Sequence, residues 1–133
     1  MGKVDLNIGI DPELLAQAER LGIDVGGMDE RPQMFTVILA AFADGDLAGI
    51  GALTPEPEPA AQPAFRMRRL YVRRALRRRG VARALASALL QEALGGARLV
   101  TVHAGNPDAA RFWEAQGFGT VEGAPWSHVY SAA

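Results

Sequence analysis

The stretch RRALRRRGVARALA, Arg73 to Ala86, crowds Arg73, Arg74, Arg77, Arg78, Arg79 and Arg83 around one glycine, Gly80. Three uses fit such a stretch: a phosphate-binding turn, a nucleic-acid-binding face, or a solvated helix start. The flanking residues narrow the choice. Upstream, AFRMRRLYV (64–72) alternates apolar and polar residues as a strand does, but the parity breaks at Arg69, which predicts a bulge. Downstream, Val81, Leu85, Ala88 and Leu89 recur at helical spacing until Gly95-Gly96 stops the run. A strand, an arginine-rich turn and a glycine at a helix start together make a pyrophosphate site. The first amides of a helix lack partners, the helix dipole favours an anion there, and glycine lets phosphate approach the backbone. The donors would be the amides from Arg78 to Arg83, with Ala82 keeping the second close-approach position small and the arginine forks adding charge-assisted contacts.

The charge distribution agrees. Residues 1–58 carry eleven acids and three bases, residues 59–91 nine arginines and no acid, and residues 92–133 four acids and two bases. The net charge of −1 therefore hides a cationic island in the middle of an acidic chain. Aromatic residues do not interleave with the arginines, and no helix-turn-helix or RNA-binding signature is visible, which argues against nucleic acid as the partner. At 133 residues and 49% apolar content the chain reads as one domain with a real core. It has no cysteine, no N-terminal apolar run with a cleavage pattern, and no apolar run near the roughly 18 residues needed to cross a bilayer. The expectation is a cytoplasmic protein with no membrane partner and no metal. Thirteen arginines against one lysine hint at a GC-rich bacterial genome.

Around the island the chain alternates elements. KVDLNIGI (3–10) suits an edge strand, and Asp11-Pro12 begins a helix that Gly22 ends. GIDVGGMDERP reads as a loop. QMFTVILAAF and LAGIGALT flank Asp44-Gly45, a tight-turn signal for a hairpin. TPEPEPAAQP (54–63), with four prolines, reads as a stiff extended loop in which Glu56 and Glu58 are exposed acids. ARLVTVHAG (97–105) is a short strand, and Asn106-Pro107 caps a short helix that Gly117 ends. Phe118–Val121 and His128–Ser131 are closing strands, which suit a homodimer, and His128 reads as a surface histidine. The order is mixed α/β.

Two motifs resemble those of one family. Arg77-Arg78-Arg79-Gly80-Val81-Ala82 fits Gln/Arg-x-x-Gly-x-Gly/Ala, the coenzyme A pyrophosphate motif of the GCN5-related N-acetyltransferases (GNAT), and RRLYV before it is similar to the family's central strand. NPDAARFWEAQGF (106–118) resembles the family's N-x-x-A-x-x-F-Y-x-x-x-G-F segment at Asn106, Ala109, Phe112, Gly117 and Phe118. The resemblance covers residues 34–131 well, with one N-terminal helix of the usual pair absent from the pattern. It implies the acyl-CoA N-acyltransferase fold: a mixed, mostly antiparallel central sheet, splayed between its middle strands and flanked by helices. It also implies acetyl-CoA as cosubstrate and a small-molecule or peptide amine as acceptor. Leu70, Tyr71 and Val72 would pair with the pantetheine and polarise the thioester carbonyl. Arg77, Arg78, Arg79, Gly80, Val81, Ala82 and Arg83 would hold the phosphates, and Asn106, Phe112 and Trp113 would complete the cofactor site.

The sequence departs from the family at two positions. Trp113 stands where many members carry the tyrosine that protonates the thiolate, and Arg66 where a strand glutamate often serves as base. His103 is the substitute base, at the end of the flanking strand and of a residue type that titrates near neutral pH. Tyr130, in the last strand, is the substitute acid, although an aromatic there also serves as core. Phe112 and Trp113 are helical neighbours, so one should be core and the other should look toward the cofactor. The alternative reading is a non-catalytic acyl-CoA-binding regulatory domain of the same fold.

Overall fold

The computed structural model describes residues 4–8, 16–17, 20, 36–58, 60 and 62–132. Among these residues seven strands form one sheet in the order β1-β2-β3-β4-β5-β7-β6. The strands are β1 (Val4–Ile8), β2 (Val37–Ala43), β3 (Asp46–Pro55), β4 (Ala64–Val72), β5 (Leu99–Val102), β6 (Gly119–Thr120) and β7 (His128–Ser131). Two helices join them, α1 (Val81–Leu94) between β4 and β5, and α2 (Pro107–Ala115) between β5 and β6. The helix expected from Asp11 lies outside the described residues except at 16, 17 and 20, which are helical, and the loop 22–33 lies wholly outside them.

β1 is the edge strand its alternation predicts, antiparallel to β2. The β2–β3 hairpin turns on Asp44 and Gly45, with φ of 52° and 84°. Both angles are left-handed, as a two-residue hairpin turn requires. β3 and β4 are antiparallel, and their register steps from Ile50–Tyr71 to Ala52–Arg68. Two β4 residues, Arg69 and Leu70, therefore oppose the single Gly51, and the parity break in the sequence is this bulge. The expected strand 97–105 shortens to Leu99–Val102, and the first closing strand to two residues. A 3-10 turn, Arg74–Leu76, separates β4 from α1; no periodicity in so short a segment announces it.

The sheet is buried on both faces. On one, Leu39, Leu53 and Met67 pack with Leu85 and Leu89 of α1, Val100 and Val102 of β5, and Trp113 of α2. On the other lie Ile38, Ala40, Leu47, Ile50 and Ala52. Leu85 and Leu89 are fully buried, each worth roughly 2 kcal/mol of apolar burial. Glycines let α1 and β4 approach β3. A Cβ at Gly49 would lie 2.6 Å from the Tyr71 carbonyl oxygen, which is backbone and cannot yield. Gly49→Ala should therefore cost about 2–3 kcal/mol, the upper part of the overpacking range. Thermal unfolding read by circular dichroism checks this, and an unchanged melting temperature would show that β4 can shift at the bulge.

Candidate functional site

β4 and β5 are the only parallel neighbours among the described strands, and they pair for three residues, Ala64–Leu99, Phe65–Val100 and Arg66–Thr101. Beyond Arg66 the strands part, and a cleft of about 1090 Å³ opens between them. Its lining comes from the rest of β4, the N-terminus of α1, the end of β5 and α2. The Arg73 N–H is spent on the Ala48 carbonyl of β3 (2.7 Å). Strand alternation then turns the Val72 amide to the opposite edge, toward the cleft. The bulge re-aims Leu70 and Tyr71, and all three residues line the cleft.

One end of the cleft is cationic. Arg77, Arg78 and Arg83 line it together with Gly80, Val81 and Ala82. Arg77 is braced by its Nε–H on the Val72 carbonyl (3.0 Å) and by stacking 5.5 Å over the Tyr71 ring. Arg78 and Gly80 have φ of 66° and 78°, so the turn is tight and left-handed at two residues. A Cβ built at Gly80 meets nothing within 4 Å, so the glycine serves the left-handed backbone and leaves the approach to α1 open. The first α1 hydrogen bond runs from Ala84 N–H to the Gly80 carbonyl (3.0 Å), no side chain caps the helix, and its first turn holds no acid. The amides of Val81, Ala82 and Arg83 thus have no partner within the helix. Arg79 is placed differently from the expectation. It does not line the cleft and lies 3.9 Å from Asp44, immediately after the left-handed backbone at Arg78.

The opposite wall is β5 and α2. The Asn106 Oδ1 accepts the Ala109 N–H (2.8 Å) and caps α2 as its sequence predicts, while Asn106 also lines the cleft. Trp113 is the core member of the aromatic pair, 7% exposed, and Phe112 is half-buried. Their rings meet edge to face at 5.0 Å, and both border the cleft. His103, one residue past β5, is exposed and lines the cleft. Tyr130 does not: it is half-buried, and its ring packs 5.6 Å from Phe118 and against Gly117. His128 corrects another expectation. It is buried, with Nδ1 2.8 Å from Ser127 Oγ and Nε2 2.9 Å from Glu114 Oε2. Ser127 Oγ accepts the Ala104 N–H (2.7 Å), so this chain of side chains anchors the end of β5 to α2.

Glu56 is the third correction. Its side chain is 1% exposed rather than solvated, because β3 extends through Pro55 and delivers the carboxylate onto Arg66 and Thr101. Arg66 donates from Nε to Oε1 (2.9 Å) and from Nη2 to Oε2 (2.8 Å). Thr101, fully buried, donates to Oε1 (2.5 Å), and the Glu58 N–H donates to Oε2 (3.0 Å). Burial pushes this carboxyl up, but the hydrogen bonds from Thr101, Glu58 and Arg66, with the Arg66 charge, outweigh it and hold it below its ordinary value. Glu56 and Thr101 are 45 residues apart, so no local spacing signals the cluster.

The acetyltransferase (GNAT) family model matches residues 11–118. A protein of Exiguobacterium sp. 255-15 assigned as an acetyltransferase shares the fold with a TM-score of 0.76 at 22% identity, covering 97% of this chain and 93% of that one. The aminoglycoside N-acetyltransferase AAC(6')-Iy in complex with CoA gives 0.73 at 18% identity, covering 95% and 94%. A mutant AtaT toxin bound to the C-terminus of the antitoxin AtaR and acetyl-CoA gives 0.71 at 17%, covering 96% and 92%. No curated protein sequence matches the chain significantly. No helix among the described residues is long and apolar enough to cross a membrane.

Proposed function

The chain belongs to the GNAT acetyltransferase family, and from that premise we propose that it moves an acetyl group from acetyl-CoA to a primary amine by direct attack. The observation that carries the reading is the cleft at the parting of β4 and β5, with a cationic turn and an uncapped helix N-terminus at one end. The pyrophosphate sits on the amides of Val81, Ala82 and Arg83, flanked by Arg77, Arg78 and Arg83. The pantetheine runs along the β4 edge from Val72 to Leu70, where an amide freed by the bulge polarises the thioester carbonyl. Asn106, Phe112 and Trp113 form the facing wall.

The amine attacks the carbonyl carbon, the C–N bond forms, the C–S bond breaks and CoA thiolate departs. The ammonium proton must leave, and His103 is the titratable side chain at the β5 wall that can take it. His103→Ala should then lower amine-dependent thiol release about 10–100-fold at pH 6.5 and much less at pH 9, where the acceptor is deprotonated by solvent. Parallel pH profiles for the variant and wild type would clear His103 of the role. Trp113 supplies a wall rather than a proton. Trp113→Tyr should keep acetyl-CoA affinity within about threefold and raise thiol release, because a hydroxyl then faces the developing thiolate. Its melting temperature should fall, since Trp113 packs on both Phe112 and Phe118. Loss of turnover with intact binding would show that the indole itself is required.

The deciding experiment is thiol release from acetyl-CoA against a library of amines. Amine-dependent thiol supports the transfer reading. Thermal stabilisation by acetyl-CoA without thiol release from any amine would instead favour a non-catalytic acyl-CoA-binding domain, the reading that Trp113 and Arg66 at the tyrosine and glutamate positions motivate.

A further inference from the structure

Arg66 stands at the last β4–β5 pair, where the two strands separate, and its side chain is 17% exposed. It lines the cleft, whereas Glu56 behind it does not. Its Nε and Nη2 are both committed to Glu56, which fixes the plane of the guanidinium. Glu56 is itself saturated by four donors, so it cannot serve as the missing base and acts as a clamp on Arg66. The remaining nitrogen, Nη1, has no hydrogen-bond partner among the described residues. Among the described residues no buried side-chain nitrogen or oxygen lacks a partner, so Nη1 is not sealed in protein and meets the open space beside it. The cleft is the cavity that Arg66 lines among the described residues.

Phe65 and Met67 pack on the α1 side of the sheet, so alternation puts Arg66 on the opposite face. The arginines proposed to hold the phosphates begin at Arg77, past the other end of β4, so Arg66 is not part of that group. The carboxylate lining the cleft among the described residues is Asp108, which is exposed at the start of α2 and paired with Arg111. A protonated amine entering beside Arg66 would meet a fixed guanidinium and no described counter-charge. A neutral amine with an anionic neighbour would meet a donor already oriented for it.

Resting on the acetyl-transfer reading, we propose that the acceptor is a primary amine bearing a carboxylate, and that this carboxylate docks on Nη1 of Arg66. The Glu56–Arg66 pair sums to zero charge, so the docking point feels the positive end of a dipole, weaker than a lone guanidinium, and the hydrogen bond from Nη1 carries the recognition.

The test reads binding separately from turnover. The CoA-bound protein is titrated, by ligand-observed NMR or calorimetry, with N-acetyl amino acids, their C-terminal amides, N-acetylputrescine and N-acetyl phosphoethanolamine. The carboxylates should bind at least tenfold tighter than the matched amides and the cationic probe. Arg66→Met alone leaves a buried carboxylate unpaired, so the informative variant is Glu56→Gln with Arg66→Met, which removes both charges. It should keep its stabilisation by acetyl-CoA, and its preference for carboxylate over amide should shrink to within about twofold. Equal or tighter binding of amides or of N-acetylputrescine to wild type would overturn the proposal, as would a preference that survives in the double variant. Tighter binding of the phosphate probe than of every carboxylate would overturn the choice of carboxylate. Arg66-dependent carboxylate binding without thiol release from the parent amines would support the docking site and count against the transfer reading instead.

Discussion

Charge reversal of Arg78 and Arg83 together is expected to erase the thermal stabilisation that acetyl-CoA gives the wild type. Both side chains line the cationic end of the cleft beside the uncapped α1 N-terminus. A ligand present at 100 times its Kd stabilises the folded state by about 2.7 kcal/mol, or roughly 10 °C for a chain of this size. Each charge-assisted hydrogen bond is worth about 1.5–3 kcal/mol, so losing two lowers affinity by roughly 100-fold or more. The introduced carboxylates then repel the phosphates as well. Little of the shift should remain in Arg78→Glu with Arg83→Glu, while the melting temperature without ligand should change little, because these are exposed positions with no described ion-pair partner. Arg79→Glu, which points toward Asp44 and away from the cleft, should retain most of the shift. A full shift in the double variant would remove the cationic turn from the cofactor site.

That contrast marks where the sequence is informative and where it is not. The RRRG turn, Gly80 and the helix after it are legible because a turn into a helix start is built from contiguous residues. The β4 bulge is legible because a single extra residue inverts side-chain parity, and the inversion shows at Arg69. The Asn106 cap is legible for the same local reason. What lies across the sheet is not. Which of Arg78 and Arg79 turns inward depends on a left-handed φ at Arg78, a non-glycine residue that gives no sign of it in the sequence. Tyr130 belongs to the core because Phe118 meets it across a turn, not because of anything within HVYS. His128 reads as a surface residue within its own segment, but it is buried and held by Glu114 of α2 and Ser127. Glu56 sits among prolines with the composition of a solvated loop, and only the β3–β4 and β4–β5 registers together bring it to Arg66 and Thr101. In each case the partner comes from a distant element, so composition and spacing hold no record of it.

Glu56→Ala, just behind the cleft, is expected to be strongly destabilising, at about 3 kcal/mol, the low end for breaking a buried ion pair. The low end applies because Arg66 keeps some contact with solvent through the cleft, whereas Glu56 is 1% exposed. The loss also leaves the fully buried Thr101 hydroxyl without its principal acceptor, the Phe65 carbonyl being 3.5 Å away. The pH dependence has a fixed sign. The folded-state carboxyl is held below its ordinary value of 4.5, so the unfolded chain binds the proton more readily. This contribution is fully present above about pH 4.5 and is lost as the pH falls through the lowered folded value. Urea unfolding between pH 2.5 and 6 should show a wild-type acid limb that both Glu56→Gln and Glu56→Ala flatten, with Glu56→Ala the less stable of the two at pH 6. Restoring neutrality should recover much of the loss, because Glu56→Gln with Arg66→Met leaves neither charge buried alone. If Glu56→Ala unfolds at the wild-type urea midpoint at pH 6, the pair contributes nothing net to folding, and the Arg66 guanidinium is held in place by its neighbours on β3 and β5 without the carboxylate.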